Sequence, residues 1–221
     1  MILTSFKKLA SVPAVFVYCM SLVVASAFAA DKAPEKPKTL RDRLASYQSF
    51  SAEFNQQVHS FDGELVQEAT GVIKVKTPDQ FVWETISPDE HLVQSDGNTV
   101  WVFNPLLEQV SLYSAQDVMK DSPILLLAEN DPKVWAQYRV RVVGERYEVT
   151  PLEAGGNIER FELQFAGNQL TELLIVDSQG QRSQFKLTKF TAPAELAEGT
   201  FSFVVPEGVD VDDQRAEANA G

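Results

Sequence analysis

Cysteine and histidine are almost absent from this sequence of 221 residues, which contains one cysteine and two histidines. A chain with one thiol forms no internal disulfide. His59 and His91 lack the i, i+4 spacing of a metal-binding helix, and no cluster of further ligands follows either of them. We therefore expect neither a disulfide framework nor a metal site.

Sequence motifs for catalysis are also missing. The chain has no nucleophile elbow, P-loop or dinucleotide fingerprint, and the acidic run at Asp210–Asp213 lacks the glycine and the final glutamate of a calcium loop. Adjacent carboxylates such as Asp89 and Glu90 stand at a turn signal, where solvated charges are common. We predict that the protein is not an enzyme and uses no cofactor; carboxylates brought together only by folding are the alternative.

Basic residues are scarce as well. The sequence has 19 Lys and Arg against 31 Asp and Glu, which gives a formal net charge of −12. Phosphate backbones and anionic lipid headgroups repel such a chain. We therefore expect no nucleic-acid partner and no permanent attachment to a membrane surface.

The N-terminus contains a long apolar run. Lys7 and Lys8 precede an uncharged stretch over residues 9–30, which has small residues close to its end. This pattern predicts a secretory signal peptide over residues 1–29. An uncleaved anchor helix is the alternative, because the run is long enough to cross a bilayer.

Cleavage after Ala29 would change both the charge and the thiol content of the chain. It removes Lys7 and Lys8, which takes the formal charge from −12 to −14, and it removes Cys19. The residues before Cys19 are bulky and do not resemble the small-residue motif of a lipid-modified cysteine. We expect an exported protein with neither a disulfide nor a lipid anchor.

The sequence from residue 39 onwards first indicates a helix and then a strand. Thr39 is a suitable helix cap, and Leu40, Leu44 and Tyr47 form one apolar stripe at i, i+4 and i+7. From Phe50 the apolar residues alternate with polar ones, which is the period of a strand.

Short strand patterns separated by turn signals fill most of the remaining chain. They read GVIKVK, QFVWETI, HLVQS, TVWVF, QVSLY, YRVRVV, RFELQF, LTELLIV, SQFKLTKF and TFSFVV. These runs predict one large antiparallel sheet, curled or barrel-like. Two more short helices are expected, in SPILLLAEN with Ser122 as its cap and in PAELAEG before the last strand. We expect one domain over residues 39–206, after a linker at 30–38 and before a polar segment at 207–221.

Aromatic residues exceed what one face of a sheet requires. Phe81 and Trp83 share one face of their strand pattern, and so do Trp101 and Phe103. Filling of an ordinary core is the plain interpretation for any one aromatic residue. A curved sheet with a thin helical cover would instead leave a hollow lined by these groups. Such a hollow suits acyl chains, because each buried methylene contributes roughly 0.8 kcal/mol.

The order of several short motifs also resembles a known family. Residues 71–110 contain PxxFxW, SDG and EQV elements in that order, and SPILLLAEN and VVPEGVDVDDQ follow. This arrangement resembles the LolA family of periplasmic outer-membrane lipoprotein carriers, from Leu40 to Gln214. The resemblance implies an unclosed β-barrel whose concave side is covered by helices that act as a lid over a hydrophobic cavity.

The same resemblance implies a function and partners. Family members accept lipoproteins from an ATP-driven releasing transporter in the inner membrane and deliver them to an outer-membrane receptor of the LolB type. It therefore implies a monomeric acyl-chain chaperone in the periplasm of a Gram-negative bacterium, without a cofactor or a covalent step.

Particular residues of this chain match the family's cavity and lid positions. By position, these are Leu40, Leu44, Phe81, Trp83, Val93, Ile124, Leu125 and Leu174. The aromatic pattern adds Trp101 and Phe103, and we expect Phe81 near the rim of the cavity. Many members have an arginine that ties barrel to lid where this chain has Thr77, which lacks the reach and the five donors of a guanidinium.

Three other functions are consistent with the same fold. An exported regulatory or sensing protein would bind lipoproteins without ferrying them. A receptor of this fold would need its own lipidated cysteine. An enzyme acting on lipids would release cleaved acyl chains. Delivery of intact cargo separates a carrier from all three.

Overall fold

The computed structural model describes residues 39–115, 123–153 and 155–215, with the backbone alone at residues 123 and 124. The predicted signal peptide, the linker at 30–38 and Ser122 lie outside the described residues.

The helices are short, and the first one begins where the sequence predicts. Helix α1 spans Leu40–Ala45, and the Thr39 hydroxyl accepts a hydrogen bond from the Asp42 backbone N–H at 3.2 Å. This bond satisfies one of the free N–H groups of the first turn. Leu40, Leu44 and Tyr47 are all buried. Other helical elements within the described residues include the 3₁₀-helices at Pro105–Leu107 and Pro123–Leu127, and helix α2 at Pro132–Trp135.

Twelve strands form one sheet among the described residues. They are β1 Ser49–His59, β2 Leu65–Lys76, β3 Gln80–Ser87, β4 His91–Asp96, β5 Thr99–Asn104, β6 Gln109–Ser114, β7 Tyr138–Val143, β8 Arg146–Pro151, β9 Ile158–Ala166, β10 Gln169–Asp177, β11 Arg182–Thr191 and β12 Asp210–Asp213.

The strand order explains why the sheet stays open. It runs β12-β6-β5-β4-β3-β2-β1-β11-β10-β9-β8-β7, so β12 and β7 are edges that do not pair with each other. Two meanders, β1–β6 and β7–β11, join where β1 pairs with β11. The expectation of a mainly antiparallel, unclosed barrel with short helices is confirmed, with the exception that β12 lies parallel to β6.

One face of the sheet carries a continuous apolar core. Phe50 and Phe54 of β1 are each 1 % exposed. The Phe54 ring lies over Gly71 of β2, and its Cζ is 2.5 Å from the place where a Cβ at that position would lie. Any larger residue at Gly71 would collide with this ring, so the glycine lets the aromatic side chain lie flat across the neighbouring strand.

The C-terminal part differs from the sequence-based prediction. PAELAEG forms no helix, because the Ser49 hydroxyl bonds both the N–H and the C=O of Ala194 and holds this segment along β1. TFSFVV forms no strand. Phe201 is buried and Phe203 half-buried, so the alternation there reflects one-sided packing and not a hydrogen-bonded ladder.

Three further elements also depart from the expectation. The expected polar tail contains β12, whose first N–H, that of Asp210, donates to the Glu108 carbonyl at 2.8 Å. Strand β8 was not expected, because RYEVTP is bounded by charged residues and by a proline. The element within SPILLLAEN is a five-residue 3₁₀-helix, Pro123–Leu127.

Candidate functional site

The inner face of the half-barrel is set by the strand register. In β3, Phe81 lies beside Val75 of β2 and Ser95 of β4. Two residues further on, Trp83 lies beside Ile73 and Val93. Side chains on a strand alternate between faces, so these two rows belong to one surface. We refer to it as the inner face.

Trp83 is the centre of an aromatic cluster on the inner face. Its ring stacks on Phe54, with centroids 4.7 Å apart, and meets Phe185 edge-on at 5.0 Å. Phe54 and Phe185 are also in edge contact. Stacked and T-shaped pairs of this kind each add about 0.5–1.5 kcal/mol beyond burial. The cluster gives the inner face a rigid apolar floor.

Two segments cover this floor. The first is helix α1, through Leu40 and Leu44. The second, residues 125–135, we call the second lid segment; its residues 125–128 and Trp135 belong to the same core. The Trp135 indole N–H donates to the Glu129 carbonyl at 3.0 Å, which closes this segment on itself.

The space between Phe81 and the second lid segment is small. Phe81, Val100, Leu125 and Ala128 line a cavity of about 10 Å³, which is at the lower limit of the roughly 10–15 Å³ needed to hold one water molecule. An acyl chain can therefore enter this space only if the lid moves or side chains repack.

A larger apolar groove opens beside the lid at the edge of the sheet. It has a volume of about 510 Å³ and lies between α1, α2 and strand β7. Its walls include Leu40, Trp135 and Tyr147 of the buried core, and Val140 and Val142 of β7. The two valines are 38 % and 55 % exposed, so the inner face continues here into solvent.

Most of the predicted cavity and lid residues come together on this face. Leu40, Leu44, Phe81, Trp83 and Leu125 are buried in the common core, and Val93 packs against it. Phe81 is 4 % exposed and lies beneath the lid, so its expected place at the rim is wrong. The side chain of Ile124 lies outside the described residues. Whether these residues contact an acyl chain stays a prediction.

Trp101, Phe103 and Leu174 lie on the outer face, so the prediction that they line the interior is wrong. Phe103 is one residue beyond Val102, which lies opposite Val93, and Trp101 is one residue before it. Alternation therefore turns both aromatic side chains away from the core. Leu174 likewise follows the inward-facing Leu173.

The C-terminal segment covers part of the outer face. Phe203 stacks on Trp101 at 6.0 Å and meets Phe103 at 5.6 Å. The surplus aromatic residues therefore fall into two groups. One group fills the interior, and the other packs against the C-terminal segment. The pairing of Phe203 with Trp101 spans about a hundred residues, and local periodicity contains no signal for it.

The position of the absent family arginine lies where barrel and lid meet. The Thr77 N–H donates to the Gln48 carbonyl at 2.8 Å, next to the C-terminal end of α1. Two residues later, the Asp79 N–H donates to the Ala128 carbonyl of the second lid segment at 3.4 Å. The turn at 77–79 is therefore bonded through backbone groups to the second lid segment and to the connection between α1 and β1.

Carboxylates gather at the same junction. Glu129 is 5 % exposed, and burial raises the pKa of its carboxyl, with the Asp79 and Asp131 carboxylates adding to the rise. Burial also raises the pKa of Asp79, and Asp131 contributes again. Like charges held together out of water favour the protonated form. The carboxylates at this junction therefore repel one another, and an arginine there would neutralise part of their charge.

The described residues contain neither a cluster of metal ligands nor a membrane-spanning helix. Within residues 39–115, 123–153 and 155–215, no group of three or more His, Cys, Asp and Glu side chains could hold a metal ion. No helix in the same part of the chain is long and apolar enough to span a membrane.

An open half-barrel with an apolar inner face, a two-part lid and an apolar groove at its edge defines the class of lidded proteins that shelter apolar ligands. The family model "Outer membrane lipoprotein carrier protein LolA" matches residues 45–204. This chain belongs to the LolA family.

Curated relatives carry the same description. The outer-membrane lipoprotein carrier protein of Shewanella amazonensis is 36 % identical over 200 residues, which cover 90 % of this chain and 97 % of the relative. That of Vibrio cholerae is 38 % identical over 189 residues, covering 85 % and 94 %. The LolA family consists of carriers and not of enzymes, which agrees with the absence of catalytic motifs.

A solved structure supports the fold alone. An uncharacterized conserved protein from Thermus thermophilus superposes with a TM-score of 0.51 at 14 % identity, over 78 % of this chain and 96 % of that one.

Proposed function

We propose that this protein is a periplasmic carrier that shelters the acyl chains of lipoproteins between the inner and the outer membrane. The observation that carries the proposal is the apolar inner face beneath a two-part lid, continuous with the groove at β7. The description of the curated relatives as outer-membrane lipoprotein carriers supports it.

The groove supplies an entrance for the acyl chain. Val140 and Val142 are partly exposed in the groove, so methylenes can lose contact with water there before the lid opens. Each methylene that moves from water into this apolar surface contributes roughly 0.8 kcal/mol. An acyl chain that binds first in the groove can then displace the second lid segment and extend over Trp83.

The partners follow from the same reasoning. An ATP-driven transporter in the inner membrane supplies the lipoprotein, and an outer-membrane receptor of the LolB type accepts it, with the carrier acting as a monomer. The formal charge of −12 repels anionic headgroups, which helps the loaded protein leave a membrane surface.

A matched pair of substitutions tests the site. Val142 and Val143 are neighbours on β7 and are 55 % and 53 % exposed, but Val142 lines the groove whereas Val143 lies beside Arg146 on the other face. Val142→Glu places a charge in the path of the acyl chain and should abolish loading, since burying an unpaired carboxylate is costly. Val143→Glu should load like the wild type.

The assay measures release of a labelled lipoprotein from inner-membrane vesicles with ATP, followed by transfer to the receptor. Equal loading of the two variants would contradict the proposed entrance. Binding of lipoprotein without onward transfer would contradict the carrier function and indicate a sensing protein. Recovery of shortened acyl chains by mass spectrometry would indicate an enzyme.

A further inference from the structure

Helix α1 is fastened to a turn of the barrel far away in sequence. The Arg43 guanidinium donates through Nη2 to the Gly167 carbonyl, and the Tyr47 hydroxyl donates to the Asn168 carbonyl at 2.7 Å. Residues 167 and 168 form the turn between β9 and β10. Two adjacent backbone acceptors of one turn are thus bonded by side chains one helical turn apart.

Aromatic rings hold the same two side chains from below. The Arg43 guanidinium carbon lies 3.9 Å from the centroid of the Phe165 ring, and Phe165 is fully buried. The Tyr47 ring packs edge-on against Phe50 and Phe190, with centroids 5.8 and 5.3 Å away. A cation over an aromatic face within about 6 Å is attracted to it, more strongly where water is excluded.

The Arg43 side chain is partly buried. Its Nε is buried and has no hydrogen-bond partner among the described residues. Such a group costs free energy to bury, and the cost is tolerated here because the other guanidinium nitrogens and the ring face are engaged. These contacts therefore hold the Arg43 side chain in one position and resist displacement of the helix.

The second lid segment is attached differently. Its hydrogen bond to the turn at 77–79 joins Asp79 N–H to the Ala128 carbonyl at 3.4 Å, which is long for an N–H···O bond. The surrounding side chains Asp79, Glu129 and Asp131 carry like charges. The polar attachment of this half of the lid is thus the weaker one.

We propose that Arg43 and Tyr47 are positioning residues that keep α1 seated on the β9–β10 turn while the cavity is filled, so that the second lid segment is the part that moves. The proposal rests on the carrier function proposed above. In this chain the arginine that links lid and barrel, Arg43, belongs to the lid, and the Gly167 carbonyl that accepts its hydrogen bond belongs to the barrel. It supplies at α1 a connection that Thr77 does not make through its side chain.

Hydrogen–deuterium exchange followed by mass spectrometry tests this arrangement in the purified protein. The peptides to follow are residues 40–47 and 125–135, with and without a pyrene-labelled fatty acid as the probe. Loading should speed exchange in 125–135 and leave 40–47 unchanged. Faster exchange of 40–47 on loading would overturn the proposal.

Two substitutions examine the anchor in the empty protein, so their result stands even if no acyl probe binds. Arg43→Met keeps an apolar chain of similar length and removes the donors and the charge; Tyr47→Phe removes only the hydroxyl. Loss of a charge-assisted hydrogen bond should speed exchange of residues 40–47 about tenfold in Arg43→Met and less in Tyr47→Phe. Exchange in residues 71–75, at the buried core of β2, should not change.

The control removes an equivalent charge elsewhere. Arg182 is exposed on β11, so Arg182→Met should leave exchange of residues 40–47 at the wild-type rate. Wild-type exchange in Arg43→Met would overturn the anchor. A parallel rise in 40–47 and 71–75 would also overturn it, because Arg43 would then stabilise the whole fold instead of positioning α1. A wild-type protein that fails to bind the probe would contradict the carrier function alone.

Discussion

Helix α1 and the second lid segment cover the same inner face, yet different kinds of contact hold them there. Helix α1 combines buried leucines with an arginine and a tyrosine bonded to the barrel. The second lid segment combines buried residues with a long backbone hydrogen bond and repelling carboxylates. The second lid segment buries at least as much apolar side chain as α1 does, so polar complementarity, and not apolar burial, distinguishes the two parts.

The difference in attachment between the two parts would allow one lid both to retain and to release cargo. Apolar contacts favour closure of each part over an empty interior, which competes with cargo for the same surface. A part that also has well-placed polar partners stays closed, whereas a part with unfavourable electrostatics opens at low cost. A carrier needs one firmly attached part that retains its cargo and one easily opened part that releases it.

The largest effect is expected from truncation of the fixed half. Leu44 is 2 % exposed on α1, so Leu44→Ala should lower the free energy of unfolding by about 2–5 kcal/mol. Urea denaturation followed by tryptophan fluorescence measures this loss. A loss below about 1 kcal/mol would mean that α1 opens independently and would remove the distinction between the two halves.

A smaller loss is expected from the same truncation in the mobile half. Leu126 is fully buried, but the second lid segment can open locally, and the global loss in Leu126→Ala cannot exceed the free energy of that opening. We expect a loss below about 2 kcal/mol together with faster uptake of a hydrophobic fluorophore. A stability loss equal to that of Leu44→Ala, with unchanged uptake, would identify Leu126 as an ordinary core residue.

Introduction of the family arginine should make the attachment of the second lid segment more like that of α1. In Thr77→Arg the guanidinium would be close to Asp79, Glu129 and Asp131, and one hydrogen bond to the lid stabilises closure by about 0.5–1.5 kcal/mol. Fluorophore uptake should slow and delivery to the receptor should quicken. Lys76→Arg, which changes an exposed neighbouring cation, is the control. Identical uptake by Thr77→Arg and wild type would show that closure at this turn does not govern transfer.

Acid should produce the smallest shift, and only in the second lid segment. Burial in the closed state raises the pKa of Glu129 and of Asp79, so the closed state binds protons more readily than the open one. This contribution to closure is complete below the ordinary carboxyl pKa and is lost as the pH rises through the raised values. Fluorophore uptake should therefore slow as the pH falls from about 7 to about 4.5.

The substitution Glu129→Gln separates this effect from general acid effects. It removes the titrating group while keeping a similar shape, so most of the pH dependence of uptake should disappear. Exchange of residues 40–47 should remain independent of pH after correction for the intrinsic rate. An unchanged pH profile in Glu129→Gln would assign the dependence to another group.

Local sequence features determined the elements that depend on near neighbours. Thr39 begins α1 because its hydroxyl satisfies an N–H three residues away, and Phe50 and Phe54 share a face because strand side chains alternate. The family resemblance in residues 71–110 added the open barrel and its lid. It also identified Phe81 and Trp83 as cavity positions and Leu125 as a lid position, and all three are buried.

Tertiary structure alone decided which face of each strand became the interior. Alternation assigns Trp101 and Phe103 to one face and Val100 and Val102 to the other, but it does not say which face curls inward, because curvature and coverage come from segments far along the chain. Phe203 covers the outer face, and the β9–β10 turn receives Arg43 from 124 residues away. Such contacts have no local period, since they exist only once the sheet has curved and brought distant segments together.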